Sequence, residues 1–188
     1  SGAVNLSSGD SCFDNWLRWV GIQPVLRKIF GCSFLPDFDY GKGGRGWRDL
    51  WQDCLGLILS DPRQVRTLLL NNFRGVRTDG SNATIVGKKP GEFIADRNDI
   101  PRVWMDHGAW PLITTDLYID ETGDLDILFE EAPYFCDSHT WRSTKIDRDW
   151  EKRKICQGTV YEHLLIQNLA QFFNVGSHNH IRLEGADW

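Results

Sequence analysis

The sequence predicts a mostly α-helical fold built of helical hairpins, on three observations. Apolar residues recur at helical spacing in several separate segments, Pro and Gly punctuate the ends of those segments, and no alternating run is long enough to build a sheet. With 188 residues, 41% of them hydrophobic, the chain can bury a core of its own, and no linker or short repeat divides residues 1–188.

The first helix is read from "FDNWLRWVGIQPVLRKIFG", with Trp16, Trp19, Val20, Leu26, Ile29 and Phe30 as its apolar residues and Gly31 closing it. Pro24 has no amide hydrogen and is expected to kink or divide that helix. In "GWRDLWQDCLGLILSD" the apolar stripe is Trp47, Trp51, Cys54, Leu55 and Ile58, while Asp49, Gln52 and Asp53 fall at i, i+3 and i+4 as a polar, acidic face. Asp61 then caps a third helix that has Pro62 at its first position.

From Val76 to Arg102 the Gly, Asn, Asp and Pro content predicts turns, in a connection long enough to be a functional loop, with "TIVG" as a short strand inside it. Helix returns in "WPLITTDLYIDETGD", from near Pro111 to Gly123, and a short helix follows through "LDILFEEAP". The last helix lies in "CQGTVYEHLLIQNLAQFFNVG", with Val160, Leu164, Leu165, Leu169, Phe172 and Phe173 at helical period and a stop at Gly176; "HIRLEG" is a further short strand.

Composition excludes several classes of function. Twenty-one basic against 26 acidic residues leave a formal charge of -5, so no general basic field holds a polyanion and nucleic acid is not an expected partner. Cysteines at 12, 32, 54, 136 and 156 are odd in number and form no CxxC pair, which points to reduced thiols and a cytoplasmic location rather than a disulfide framework or zinc knuckle. No leader-like basic and apolar run opens the chain, and no stretch is long enough to span a membrane. His178 and His180 have metal-compatible spacing but no second ligand cluster, so no metal is expected; His163 on an apolar helix reads as a packed histidine. GKGGRG lacks the order of a nucleotide P-loop, and Ser7, Ser8 and Ser11 lack the setting of a nucleophile.

What remains is polar residues beside aromatic ones. The nine tryptophans suit sugar rings, on which indoles stack, although core packing accounts for most tryptophans in most proteins. In "RVWMDHGAWP", Asp106 sits among Trp104, His107 and Trp110. As a plain helix start, it would accept bonds from free amides. As a desolvated carboxyl, it is expected to have a raised pKa and to act as a general acid toward a departing glycosidic oxygen. Before the second helix, the glycines of "DYGKGGRGWRD" allow close backbone approach to a polar pocket holding Arg48, Asp49 and Gln52.

Three segments together resemble the inverting glycoside phosphorylases of glycoside hydrolase family 94. "GRGWRDLWQDCLGLIL" resembles their glycine-rich, aromatic-Arg-Asp-x-x-Gln-Asp helix start; "VWMDHGAWPLITTDLYIDETGD" resembles the segment holding the general-acid aspartate, and "HNHIRLEGADW" the opening of a Gly/Ala-Asp-Trp-Asn-Asp motif. Within the family, "LLLNNFRGVRTDGSNATIVG" and "PGEFIADRNDIPRVWMDHGAWP" look closer to the enzymes acting on β-1,2-linked glucooligosaccharides, with β-1,3-oligoglucan and cellobiose phosphorylases as alternatives.

The resemblance implies Asp106 as proton donor, Arg48 and Asp49 on the hydroxyls of the terminal glucosyl unit, and Trp104 as a wall of that subsite. Gln52 joins the substrate-binding set. Lys42 stands where family members often carry an arginine, with Arg45 closer in, and a lysine does not reproduce a bidentate guanidinium fork. His107 departs from the common Asp-Asp-x-Leu-Trp arrangement, and its charge is expected to tune the acid.

The implied fold is an (α/α)6 barrel, of which these helices would make about half. The expected partners are therefore a β-glucooligosaccharide, phosphate as co-substrate without a cofactor, the remainder of the same enzyme, and a second copy in a homodimer. The phosphate-binding residues would lie downstream of Trp188, so the 188 residues alone are expected to be inactive. An inverting hydrolase would instead need a catalytic base, with Glu184 or Asp187 as nominees. A carbohydrate-binding module without chemistry is the reading from another class.

Overall fold

The computed structural model describes residues 6–30, 46–87, 89–94, 106–136 and 156–182. Helix α1 spans Ser11–Phe30 and α2 spans Trp47–Leu55. Helix α3 covers Pro62–Phe73, α4 covers Ala109–Thr122 and α5 covers Val160–Phe173. Strands β1 (Ile85–Val86) and β2 (Phe93–Ile94) form one antiparallel ribbon, and β3 (Glu131–Pro133) with β4 (Gln157–Thr159) forms another. The described fold is thus mostly helical with little sheet.

Capping chemistry fixes several boundaries. The Asp61 side chain accepts from Gln64 N at the start of α3, beside Pro62, as the sequence predicts. Gly123 ends α4 in the left-handed conformation, and its amide returns to the Ile119 carbonyl at 2.7 Å. Thr159 and Glu162 form a reciprocal capping box at the head of α5.

Four expectations are corrected. Pro24 does not divide α1, which runs unbroken past it; only one amide bond is lost there, and the ring packs near Gly56 at the end of α2. The apolar residues Trp16, Trp19 and Val20 of α1 are exposed among the described residues, rather than packed. "LDILFEEAP" is a 3-10 turn over Leu125–Phe129 followed by β3, because Glu130 turns extended and the next residues pair with β4. Helix α5 stops at Phe173, short of Gly176, as Val175 leaves to bridge Ile181.

The core is centred on α2, which packs against both α3 and α4. An aromatic series runs through it: Trp47 meets Trp51 edge-on at 5.5 Å, Trp51 meets Phe73 at 5.0 Å, and Phe73 meets His163 at 5.9 Å. His163 then stacks on Tyr134 at 4.0 Å, a packed histidine as expected. Trp47 and Trp51 are therefore core residues, not sugar platforms. Asp53 is buried as well, although it belongs to the polar, acidic face opposite the apolar stripe, because α2 is covered on more than one side. Burial pushes the adjacent Cys54 thiol up to about 12, with Asp53 adding to the effect.

No helix among the described residues is long and apolar enough to cross a membrane. Cys12, Cys54, Cys136 and Cys156 are free thiols.

Candidate active site

The site is built where the first turn of α2 meets the turn leading into α4. Trp47 and Arg48 are consecutive on α2, and each grips one of two consecutive residues on the facing turn. Trp47 Nε1 donates to the His107 carbonyl at 3.0 Å, and Arg48 Nε stands 2.5 Å from Asp106 Oδ2. The α2 start is anchored in turn by the Trp47 amide on the Thr84 carbonyl at 2.9 Å.

Asp106 is tied locally too. Its carbonyl accepts from the Ala109 and Trp110 amides, and its Oδ2 accepts from Trp110 Nε1 at 3.1 Å. Trp110 lies one helical turn on and is half-buried, so its spacing from Asp106 lets the indole N–H reach the carboxylate. The ion pair keeps access to solvent, with side-chain exposures of 22% for Arg48 and 29% for Asp106. A carboxyl that is partly desolvated yet reachable suits proton exchange with a ligand.

The electrostatics differ from expectation. Burial pulls the Asp106 carboxyl up, but the Arg48 and Trp110 hydrogen bonds and the Arg48 charge together outweigh it and hold the group below the usual carboxylate value. The expected raised pKa is thus corrected for the free site, because the deciding cation arrives from a different helix. His107 is corrected as well. Burial pushes its imidazole down to about 3 against the pull of Asp106, so the ring is neutral near pH 7 and supplies no charge to tune the acid.

Asp49 and Gln52 are half-buried on the same helix. The Asp49 carboxylate folds over the helix start, where a Cβ on Gly46 would lie 2.7 Å from its Oδ2, so glycine is what admits the approach. The structure therefore brings Asp106, His107 and Arg48 together, with Asp49 and Gln52 on the helix that carries Arg48. Lys42, Arg45, Trp104, Glu184 and Asp187 lie outside the described residues.

Sequence reading missed Asn82, whose Nδ2 lies 3.1 Å from His107 Nδ1, and gave no role to Trp110. The i, i+4 spacing from Asp106 could have flagged Trp110; nothing local flags Asn82. An open groove of about 320 Å³ between α4 and α5, lined by Leu112, Ile119, Tyr161, Leu164 and Leu165, is apolar and includes neither Arg48 nor Asp106. Among the described residues, no group of His, Cys, Asp and Glu is arranged to hold a metal ion.

Residues 30–188 match the glycosyl hydrolase 94 superfamily, catalytic domain. No curated protein matches the chain at a significant level.

Proposed function

The chain belongs to the glycosyl hydrolase 94 superfamily, a family of glycoside-processing enzymes, and from that premise we propose that it serves the inverting phosphorolysis of β-linked glucooligosaccharides, β-1,2-linked ones first, to α-glucose 1-phosphate. Asp106 is the general acid and inorganic phosphate the nucleophile. Arg48 and Asp49 hold the hydroxyls of the glucosyl unit, with Gln52, Trp104 and Lys42 completing its subsite. The helices form part of an (α/α)6 barrel that the remainder of the enzyme closes, and the enzyme works in the cytoplasm as a homodimer.

In the reaction a phosphate oxygen bonds to the anomeric carbon from the face opposite the departing oxygen. The carbon–oxygen glycosidic bond breaks with its electron pair on that oxygen, which takes the proton of Asp106. One displacement converts β to α. Phosphate arrives already anionic, so no second carboxylate is needed to activate it.

The observation that carries this reading is the 2.5 Å pair of Arg48 and Asp106. It accounts for a carboxyl that is too acidic in the free site and yet acts as a donor. When sugar hydroxyls draw the guanidinium away, its downward hold on the carboxyl weakens. The ligand also excludes water, and burial then lifts the group toward the protonated form.

The test is product release by the full-length protein from β-1,2, β-1,3 and β-1,4 oligoglucosides with and without inorganic phosphate. Phosphate-dependent α-glucose 1-phosphate, fastest from the β-1,2 series, is expected. Preference for another linkage reassigns the substrate, and equal cleavage without phosphate makes the enzyme a hydrolase. Binding with no cleavage makes it a carbohydrate-binding module.

A further inference from the structure

We propose that Asn82 is a positioning residue for the Asp106 turn: its amide fixes the His107 ring as the neutral tautomer protonated at Nε2 and so keeps a second cation away from the proton donor. The kinetic consequence rests on Asp106 being that donor; the state of the ring follows from hydrogen bonding alone.

Asn82 Nδ2 stands 2.8 Å from the Ala83 carbonyl oxygen and 3.1 Å from His107 Nδ1. A carbonyl oxygen only accepts, so the NH2 end of the amide occupies this position, and its second hydrogen is available to the ring. The ring nitrogen must then accept. That leaves Nδ1 bare and puts the single proton of the neutral imidazole on Nε2. Both side chains are buried, so water does not readily replace this bond.

The hairpin that delivers Asn82 has little slack. Buried Arg77 donates through Nη1 to the Asn82 carbonyl at 2.5 Å and lies over the Phe135 ring. Val76 pairs with Asn82 across the hairpin, and Asp79 Oδ1 accepts from both the amide and the hydroxyl of Ser81. Among the described residues, the charged groups acting on His107 are Asp106 beside it and Arg48 from α2, with Arg77 behind Asn82.

An uncharged ring leaves Arg48 as the adjacent cation that sets the acidity of Asp106, and sugar hydroxyls can draw Arg48 off. An imidazolium could not be drawn off. It would stabilise the Asp106 anion in the occupied site too, and the acid would reach the glycosidic oxygen already deprotonated.

Nuclear magnetic resonance of ¹⁵N-histidine-labelled protein reads the protonation of each ring nitrogen directly. His107 is expected to show a bare Nδ1 and a protonated Nε2 at neutral pH in the wild type. In Asn82→Asp a carboxylate that only accepts should protonate Nδ1. In that variant kcat for phosphorolysis should fall at least about tenfold with KM within about twofold, and the basic limb of kcat should move to lower pH. Should the aspartate variant fail to fold, Asn82→Ala must lose the single-tautomer signature.

A protonated Nδ1 in the wild type, or a bare one in Asn82→Asp, overturns the proposal. Wild-type kcat with Nδ1 protonated overturns the positioning role. Wild-type turnover by Asp106→Asn removes Asp106 as donor, while the spectra still decide the ring.

Discussion

Arg48 and Asp106 form an ion pair at 2.5 Å between the first turn of α2 and the turn before α4. The pair sets two opposing influences on one carboxyl: burial raises its pKa, and the guanidinium with the Trp110 indole lowers it further than burial raises it. The acidity of the site is therefore set by where one arginine side chain spends its time. A ligand that competes for Arg48 changes the protonation of Asp106 without touching it.

Replacing Arg48 by Ala isolates that balance. The variant keeps the desolvation and loses the strongest downward influence, so the Asp106 carboxyl should titrate at higher pH than in the wild type. Carbon-detected NMR titration of labelled aspartate reads the shift; an unchanged or lower midpoint would show that the guanidinium does not govern the group. Phosphorolysis should lose at least about tenfold in kcat/KM, since the contacts proposed for Arg48 with the glucosyl ring would go too.

Asp106→Asn keeps the shape of the side chain and removes its proton. With unactivated oligosaccharides kcat should fall by roughly 10²–10⁴-fold, the usual worth of a general acid. Oligosaccharide binding, followed by calorimetry, should change little. A glycosyl donor whose leaving group needs no proton should recover much of the rate, and equal losses on both kinds of donor would count against proton transfer as the role of this residue.

The helices were legible wherever local signals agreed. Asp61 with Pro62, and Gly123 after the last turn of α4, mark ends by capping chemistry that involves only neighbouring residues. The Thr159–Glu162 box was equally local and could have placed the start of α5. Asp53 was not legible, since a helical wheel assigns one buried face and α2 is covered by both α3 and α4. The aromatic setting of Asp106 could be read from the chain, but the cation that reverses its pKa shift comes from α2. Asn82, which settles the state of His107, comes from a hairpin that reads only as turns. Contacts between distant segments are what a periodic pattern leaves out.

His107 should write itself into the pH dependence of stability. Burial holds its folded-state pKa near about 3, below the ordinary value of 6.5. Between those values the unfolded chain binds a proton that the folded chain excludes, so unfolding free energy falls as pH drops through this window, by up to about 1.4 kcal/mol per pH unit. His163, also pushed down by burial, acts in the same direction. Urea denaturation at a series of pH values should show the slope, and His107→Gln should make it shallower without abolishing it. An identical slope in the variant would mean that the ring is protonated in the folded protein.

Gly80 tests whether the hairpin carrying Asn82 is held as tightly as its contacts imply. Its φ is 80°, in the left-handed region, and an added Cβ would stand 2.4 Å from the Ile166 carbonyl oxygen and 2.6 Å from the Ala170 Cβ of α5. Gly80→Ala therefore meets both a conformational penalty and a clash with backbone that cannot rotate away, at a combined cost of roughly 2–4 kcal/mol. Gly9 has a similar φ of 86° with nothing within 4 Å of the added atom, so Gly9→Ala isolates the conformational part and should cost about 1–2 kcal/mol at most. Chemical denaturation of the two variants should separate them clearly. Equal, small losses would mean that the 76–83 hairpin and α5 part readily, and that Asn82 is not held against His107 by the packing beneath it.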